Sequence, residues 1–223
     1  MHAPKLTRIY LRLHRRYGPQ MWWPADTPFE MITGAFLTQN SAWTNVEKAL
    51  ANLKSLKILS VAGIRKTPLK KLAAAIRPSG YFNQKAARLK DFVAHLDARH
   101  GGSLAKLLKQ PAGALREELL SIRGIGPETA DSIVLYAAHK PSFVVDAYTR
   151  RIFGRLGLVE NAHNYDQIRD FFQKYLKKDV PTYNEYHALI VRHAKEFCHK
   201  NTPACGECCL GRECLKRGVE YAK

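Results

Sequence analysis

Ile122-Arg123-Gly124-Ile125-Gly126-Pro127 separates two segments of helical character, Ala112–Ser121 before it and Thr129–Ala138 after it. Two glycines around one isoleucine permit a tight turn with positive φ and an exposed backbone. Pro127 suits the first position of the second helix, where a missing N–H costs nothing. The turn would then present a helix N-terminus with bare N–H groups and partial positive charge, which a phosphate can fill without any side chain. Such contacts hold register on nucleic acid and read no sequence. A glycine-rich corner between packed helices has the same composition, so the hairpin by itself decides fold rather than function.

Outward from the hairpin the pattern stays helical. Phe82, Ala86, Leu89, Phe92, Val93 and Leu96 recur at steps of three and four residues, and similar stripes occupy Ile9–Leu13, Phe29–Leu37, Val46–Leu53 and Ile168–Tyr175. Strand-like alternation is scarce, and Phe143–Val145 reads as a connector. Breakers at Pro28, Pro68, Pro78–Gly80, Gly101–Gly102, Pro111 and Pro181 divide the chain into about ten short helices. The expected fold is all-α, with two helical lobes. One is a bundle over 25–137 that ends in the hairpin; the other joins 1–24 to 138–223.

The balance of 36 Lys+Arg against 19 Asp+Glu gives a formal charge of +17 over 223 residues. That excess suits a polyanion, because each cation that meets a phosphate releases condensed counterions. Residues 1–18 hold no apolar run of signal-peptide type, and no stretch is apolar enough to span a bilayer, so the expected location is cytoplasmic, on the nucleoid when bound to DNA. All five cysteines lie between Cys198 and Cys214, which in a cytosolic chain points to a metal site rather than disulfides. Thiolates in this number suit either zinc or an iron–sulfur cluster.

Beyond the hairpin comes Val144-Val145-Asp146-Ala147-Tyr148-Thr149-Arg150-Arg151. Asp146 is well suited to cap a helix beginning at Ala147. The set Gly124-x-Gly126, Thr129-Ala130, Val145-Asp146 and Arg150 resembles the helix-hairpin-helix DNA glycosylases of the endonuclease III superfamily, from about Trp22 to Cys214. The resemblance implies that Asp146 is catalytic. A fixed carboxylate stabilises the positive charge that builds on the sugar as an N-glycosidic bond breaks, and it can orient the attacking water. It also implies DNA contacts at Gly124, Ile125, Gly126 and Arg150, and that Gln39 fills the gap left by an extruded base. The Cys198-x6-Cys205-x2-Cys208-x5-Cys214 spacing matches the superfamily's 4Fe–4S loop, leaving Cys209 unassigned. That loop carries Lys200, Arg212, Lys216 and Arg217, candidates for backbone phosphates.

Bifunctional members of the superfamily carry a lysine just after the hairpin that forms a Schiff base with the sugar. This chain has Glu128 there, and a carboxylate forms no imine, so the resemblance implies base removal without strand cleavage. Trp22-Trp23-Pro24 followed by Thr38-Gln39-Asn40 and Trp43 is similar to the 3-methyladenine DNA glycosylases within the superfamily. In that likeness Trp22 and Trp43 stack on a flipped base, and Trp23, Pro24 and Glu128 complete the pocket. Electron-poor alkylated purines favour such stacking. A close member of that subfamily lacks the four-cysteine loop, so the sequence combines one group's pocket with the wider superfamily's cluster. The reading is a monomeric, monofunctional glycosylase acting on double-stranded DNA with a damaged base. The rivals are a glycosylase for another lesion (mismatched thymine, uracil or adenine, or an oxidised pyrimidine) and a non-catalytic lesion-sensing protein.

Overall fold

The computed structural model describes residues 2–219. Twelve α-helices succeed one another: α1 (His2–Tyr17), α2 (Pro28–Thr38), α3 (Trp43–Ser55), α4 (Val61–Lys66), α5 (Leu69–Ala75), α6 (Phe82–His100), α7 (Leu104–Lys109), α8 (Ala112–Ser121), α9 (Pro127–Ser132), α10 (Ala147–Arg155), α11 (Tyr165–Tyr175) and α12 (Val180–Glu196). A 3₁₀ turn occupies Arg77–Ser79 and a π-turn Ile133–Ala137. No strand occurs among the described residues, so the fold is all-α. The count exceeds the expected ten because breakers isolate the short helices α4, α5 and α7.

The chain divides into two units, one of Trp23–Lys140 and one of Met1–Trp22 with Pro141–Lys223. In the contiguous unit α2 is the central element: every residue from Phe29 to Leu37 is buried. A helix apolar on all sides is enclosed by its neighbours, and α2 packs on α3, α6, α9 and the π-turn. Side chains of Thr27, Ser60 and Ser103 cap α2, α4 and α7 by accepting from backbone N–H groups in the first turn. Lys85 of α6 is fully buried, and its Nζ donates at 2.7 Å to the carbonyls of Leu37 and Ser79. Burial, helped by Arg88, pulls that ammonium down to about 8.

In the discontinuous unit α1 lays its stripe of Leu6, Ile9 and Leu13 against α11 and α12. Phe143 stacks on Phe172 at 4.1 Å between ring centres, with Phe153, Tyr183 and Tyr186 edge-on around the pair. The Tyr186 hydroxyl donates to the Leu6 carbonyl at 2.9 Å, tying the first helix to the last. No helix among the described residues is long and apolar enough to cross a membrane.

Candidate functional site

The hairpin is built from α8, the turn at Ile122–Gly126, and α9. Gly124 has φ +87°, and a Cβ there would run into the Arg88 side chain at 2.5 Å. Gly126 differs from expectation: its φ is −92° and a Cβ would meet nothing within 4 Å. Only the first glycine is required by conformation. Ile125 is also not a presented side chain, since it is 5% exposed and packs inward. Gly126 and Arg123 form the exposed part of the turn. No side chain caps α9. Asp131, fully buried, takes the Arg116 Nε at 2.9 Å and so ties α9 to α8.

The second hairpin helix is shorter than the sequence indicates. The α-helical turn ends at Ser132, and Ile133–Ala137 continues as the π-turn in place of a helix to Ala138. A π-turn inserts one extra residue and so rotates the side chains beyond it. Tyr136 thereby meets Trp23, ring centres 5.4 Å apart, and Trp23 is in turn edge-on to Trp43 at 5.2 Å. The structure thus joins Trp23, Trp43 and Tyr136 into one aromatic cluster, and Tyr136 carries no signal in the sequence beyond its place in an apolar stripe. Trp43 Nε1 donates to Glu47 at 2.9 Å. Pro24 and Glu128 are both exposed, Glu128 in the first turn of α9. Trp22 belongs to the other unit, where it lines a cavity with Tyr10, His14, Met21 and Glu185.

Gln39 directly succeeds α2 and is held against the hairpin. Its Nε2 donates to the Gly124 carbonyl at 3.1 Å and to Thr129 Oγ1 at 3.0 Å, while its Oε1 accepts from Arg88 Nη1 at 2.7 Å. Lys140 is engaged as well, donating to the Leu108 carbonyl.

Asp146 caps α10 in the expected way and does more. Its Oδ1 accepts from the Thr149 backbone N–H at 2.7 Å and from Thr149 Oγ1 at 2.9 Å. That leaves Oδ2, which faces His187 Nε2 of α12 at 3.4 Å. The Asp146 and His187 side chains are 12% and 6% exposed. Burial pushes the Asp146 carboxyl upward, but the His187 imidazole and the two Thr149 donors outweigh it, and the net pKa lies below the usual 3.8. The connector before Asp146 is pinned by the Val145 N–H donating to the Tyr165 hydroxyl at 3.3 Å. Arg150, one turn on, donates to the His163 carbonyl at 2.9 Å. Sequence reasoning misses His187, which lies within the apolar run of α12 with no motif around it.

The five cysteines are all free of disulfides. Cys209, Cys198 and Cys214 lie close enough to Cys208, and Cys198 and Cys205 close enough to Cys214, to raise those two thiols, while Arg16 and Arg12 lie near Cys209. Burial pushes the Cys208 thiol up to about 11, with the neighbouring thiols adding to it. N–H groups surround the sulfurs: Arg155 Nη1 donates to Cys198 Sγ at 3.2 Å and the Lys216 N–H to Cys214 Sγ at 3.4 Å. His193 Nε2 lies 3.4 Å from Cys208 Sγ. Arg155 also holds the His199 and Lys200 carbonyls at 2.7 Å. Thiols gathered in this way, with N–H donors on Cys198 and Cys214, fit a thiolate-bound anionic cluster, whose sulfurs accept such bonds. Lys200, Arg212, Lys216 and Arg217 are exposed on the same segment.

Comparison with known proteins agrees with this architecture. The family model described as HhH-GPD superfamily base excision DNA repair protein matches residues 33–178. A Methanocaldococcus jannaschii protein provisionally named a DNA repair glycosylase is 47% identical over 212 residues, covering 94% of this chain and 96% of that one. The crystal structure of the H. pylori 3-methyladenine DNA glycosylase bound to 1,N6-ethenoadenine superposes with a TM-score of 0.74 at 32% identity, covering 87% and 95% of the two chains. A trapped endonuclease III–DNA covalent intermediate superposes with a TM-score of 0.83 over 97% of each chain, at 20% identity, and so shares the fold.

Proposed function

The chain belongs to the HhH-GPD superfamily of base excision DNA repair proteins and is a DNA glycosylase, and from that premise we propose a monofunctional enzyme that releases alkylated purines such as 3-methyladenine. The observation that carries the proposal is Asp146, a sheltered and ionised carboxylate, in a chain that has Glu128 where a strand-cleaving relative holds a lysine.

Asp146 stabilises positive charge on the sugar as the glycosidic bond lengthens, and its oxygen facing His187 keeps a lone pair for the attacking water. The low pKa keeps the carboxylate charged at neutral pH. Glu128 has no amine, so the abasic sugar is released without an imine and without strand cleavage. The 32% identity to a 3-methyladenine DNA glycosylase, together with the aromatic residues Trp22, Trp23 and Trp43, supports an alkylated purine. Such a base is electron-poor and leaves without strong protonation, which suits stacking. Pro24 borders that pocket, Gln39 enters the gap in the duplex, and Gly124, Ile125, Gly126 and Arg150 meet the backbone. Arg150 and Gln39 would exchange their present bonds for contacts with DNA.

Cys198, Cys205, Cys208 and Cys214 would hold a 4Fe–4S cluster, with Cys209 outside the ligand set. When bound, the cluster supplies a structural cross-link, since hydrolytic base removal transfers no electrons. The enzyme would work as a monomer in the cytoplasm, on the nucleoid. A panel of lesion-bearing duplexes, scored for free base and for nicking with and without alkali, tests the reading. Release of 3-methyladenine with nicking only after alkali is expected. Release no faster than without enzyme rejects the substrate, and a borohydride-trapped adduct on abasic DNA rejects monofunctionality.

A further inference from the structure

In the contiguous unit, which does not contain Asp146, two imidazoles and a carboxylate converge. His95 and His100 lie at the end of α6 and Glu118 in α8. His95 Nε2 is 2.6 Å and His100 Nε2 is 2.7 Å from the same oxygen, Glu118 Oε1, and the three donor atoms lie within 4.8 Å of one another. The other carboxylate oxygen is taken by Gln110 Nε2 at 2.6 Å. The His95, His100 and Glu118 side chains are 19%, 13% and 12% exposed, sheltered but open to a small ion.

Both imidazoles crowd one oxygen with their distal nitrogens, the atoms an imidazole offers to a metal. Gln110 fixes the second oxygen, the way an outer amide orients a metal-binding carboxylate. A tetrahedral ion with bonds of ~2.05 Å has donor–donor edges of ~3.3 Å, so the two nitrogens, now 2.6 and 2.7 Å from the oxygen, would each have to draw back by roughly 0.6 Å to admit it. Two imidazole nitrogens and one carboxylate oxygen suit a borderline divalent ion of the zinc type and leave a fourth position for water.

We propose that His95, His100 and Glu118 form a divalent transition-metal site that staples the end of α6 to α8, the helix that leads into the hairpin. The site is separate from the cysteine segment and from the glycosylase reading. Each imidazole would coordinate through Nε2 in its neutral form, with its one remaining proton on Nδ1.

The experiment titrates zinc chloride into the purified full chain while following the imidazole ¹⁵N resonances, assigned with His95→Gln and His100→Gln. The His95 and His100 signals should move together and saturate near about one equivalent. Glu118→Gln should weaken the effect at least about tenfold, and zinc should raise the thermal midpoint of the wild type by more than that of His100→Gln. Zinc taken up by the cysteines alone leaves these two resonances in place. The proposal is overturned if they stay unmoved through about a tenfold molar excess, or if they shift separately with different stoichiometries. The wild-type resonances decide the matter even if a variant fails to fold.

Discussion

Two aspartates show how one side chain serves two ends. Asp131 in α9 is fully buried with the Arg116 guanidinium on one oxygen at 2.9 Å. Its charge is neutralised on the spot and its work is to hold α9 to α8. Asp146 is 12% exposed, with one oxygen spent on capping α10 and the other turned to an imidazole. Hydrogen bonds sustain its charge without an adjoining guanidinium. A buried carboxylate answered by arginine is a structural tie, whereas one answered by a cap and a histidine keeps an ionised oxygen for chemistry.

The sharpest way to break the comparison is Asp146→Asn. Asparagine still caps α10, so the thermal midpoint should hold while single-turnover base release falls about a thousandfold. A wild-type rate would return the chain to a non-catalytic role. Arg116→Ala should do the reverse, costing about 3–5 kcal/mol in urea denaturation because a fully buried carboxylate loses its guanidinium. Activity per folded molecule should be kept. Next in size is His187→Asn, expected to lower kcat about tenfold, near 1.4 kcal/mol, with KM little changed. Asp146 titrates below 3.8 in the folded chain, so its stabilising effect is present above that value and lost as pH falls through the lower, folded-state value. Removing the imidazole raises that folded value, and the acid limb of the rate profile should move to higher pH, a shift that a packing defect alone would not produce. The smallest effect is expected from Thr149→Val, which removes one of two bonds to Oδ1 and should cost about 1 kcal/mol in stability.

Local chemistry makes much of this legible. The stripes of α1, α2, α3, α6 and α11 and the cap at Asp146 arise from neighbours in sequence, and the structure places them where the pattern puts them. The hidden features depend on residues distant in the chain. His187 matters only because α12 brings it to Asp146, and nothing near it in sequence announces that. The π-turn leaves an apolar pattern that an α-helix would also produce, so the pattern alone carries the helix to Ala138 and makes Tyr136 one more core residue. The two hairpin glycines look equivalent on paper, yet only Gly124 takes a positive φ, with the Arg88 side chain packed against it. His95, His100 and Glu118 are similarly unremarkable until α6 and α8 meet.

The unit that carries Asp146 is assembled from both ends of the chain, and this sets an order of events on the ribosome. Synthesis delivers α1 first, its Leu6, Ile9 and Leu13 stripe bare, while the partners of α1 arrive last: Tyr186 for the Leu6 carbonyl, His193 for the Tyr17 hydroxyl at 2.8 Å, and Glu213 for Arg8 and Arg12. Residues 23–140 are contiguous and can close without waiting. A nascent chain stalled after Lys140 should therefore resist protease across the hairpin unit while α1 is cut. The hairpin would be finished before the unit that holds Asp146 and Arg150 exists, so an interrupted polypeptide would carry part of the proposed backbone contacts without the proposed catalytic carboxylate.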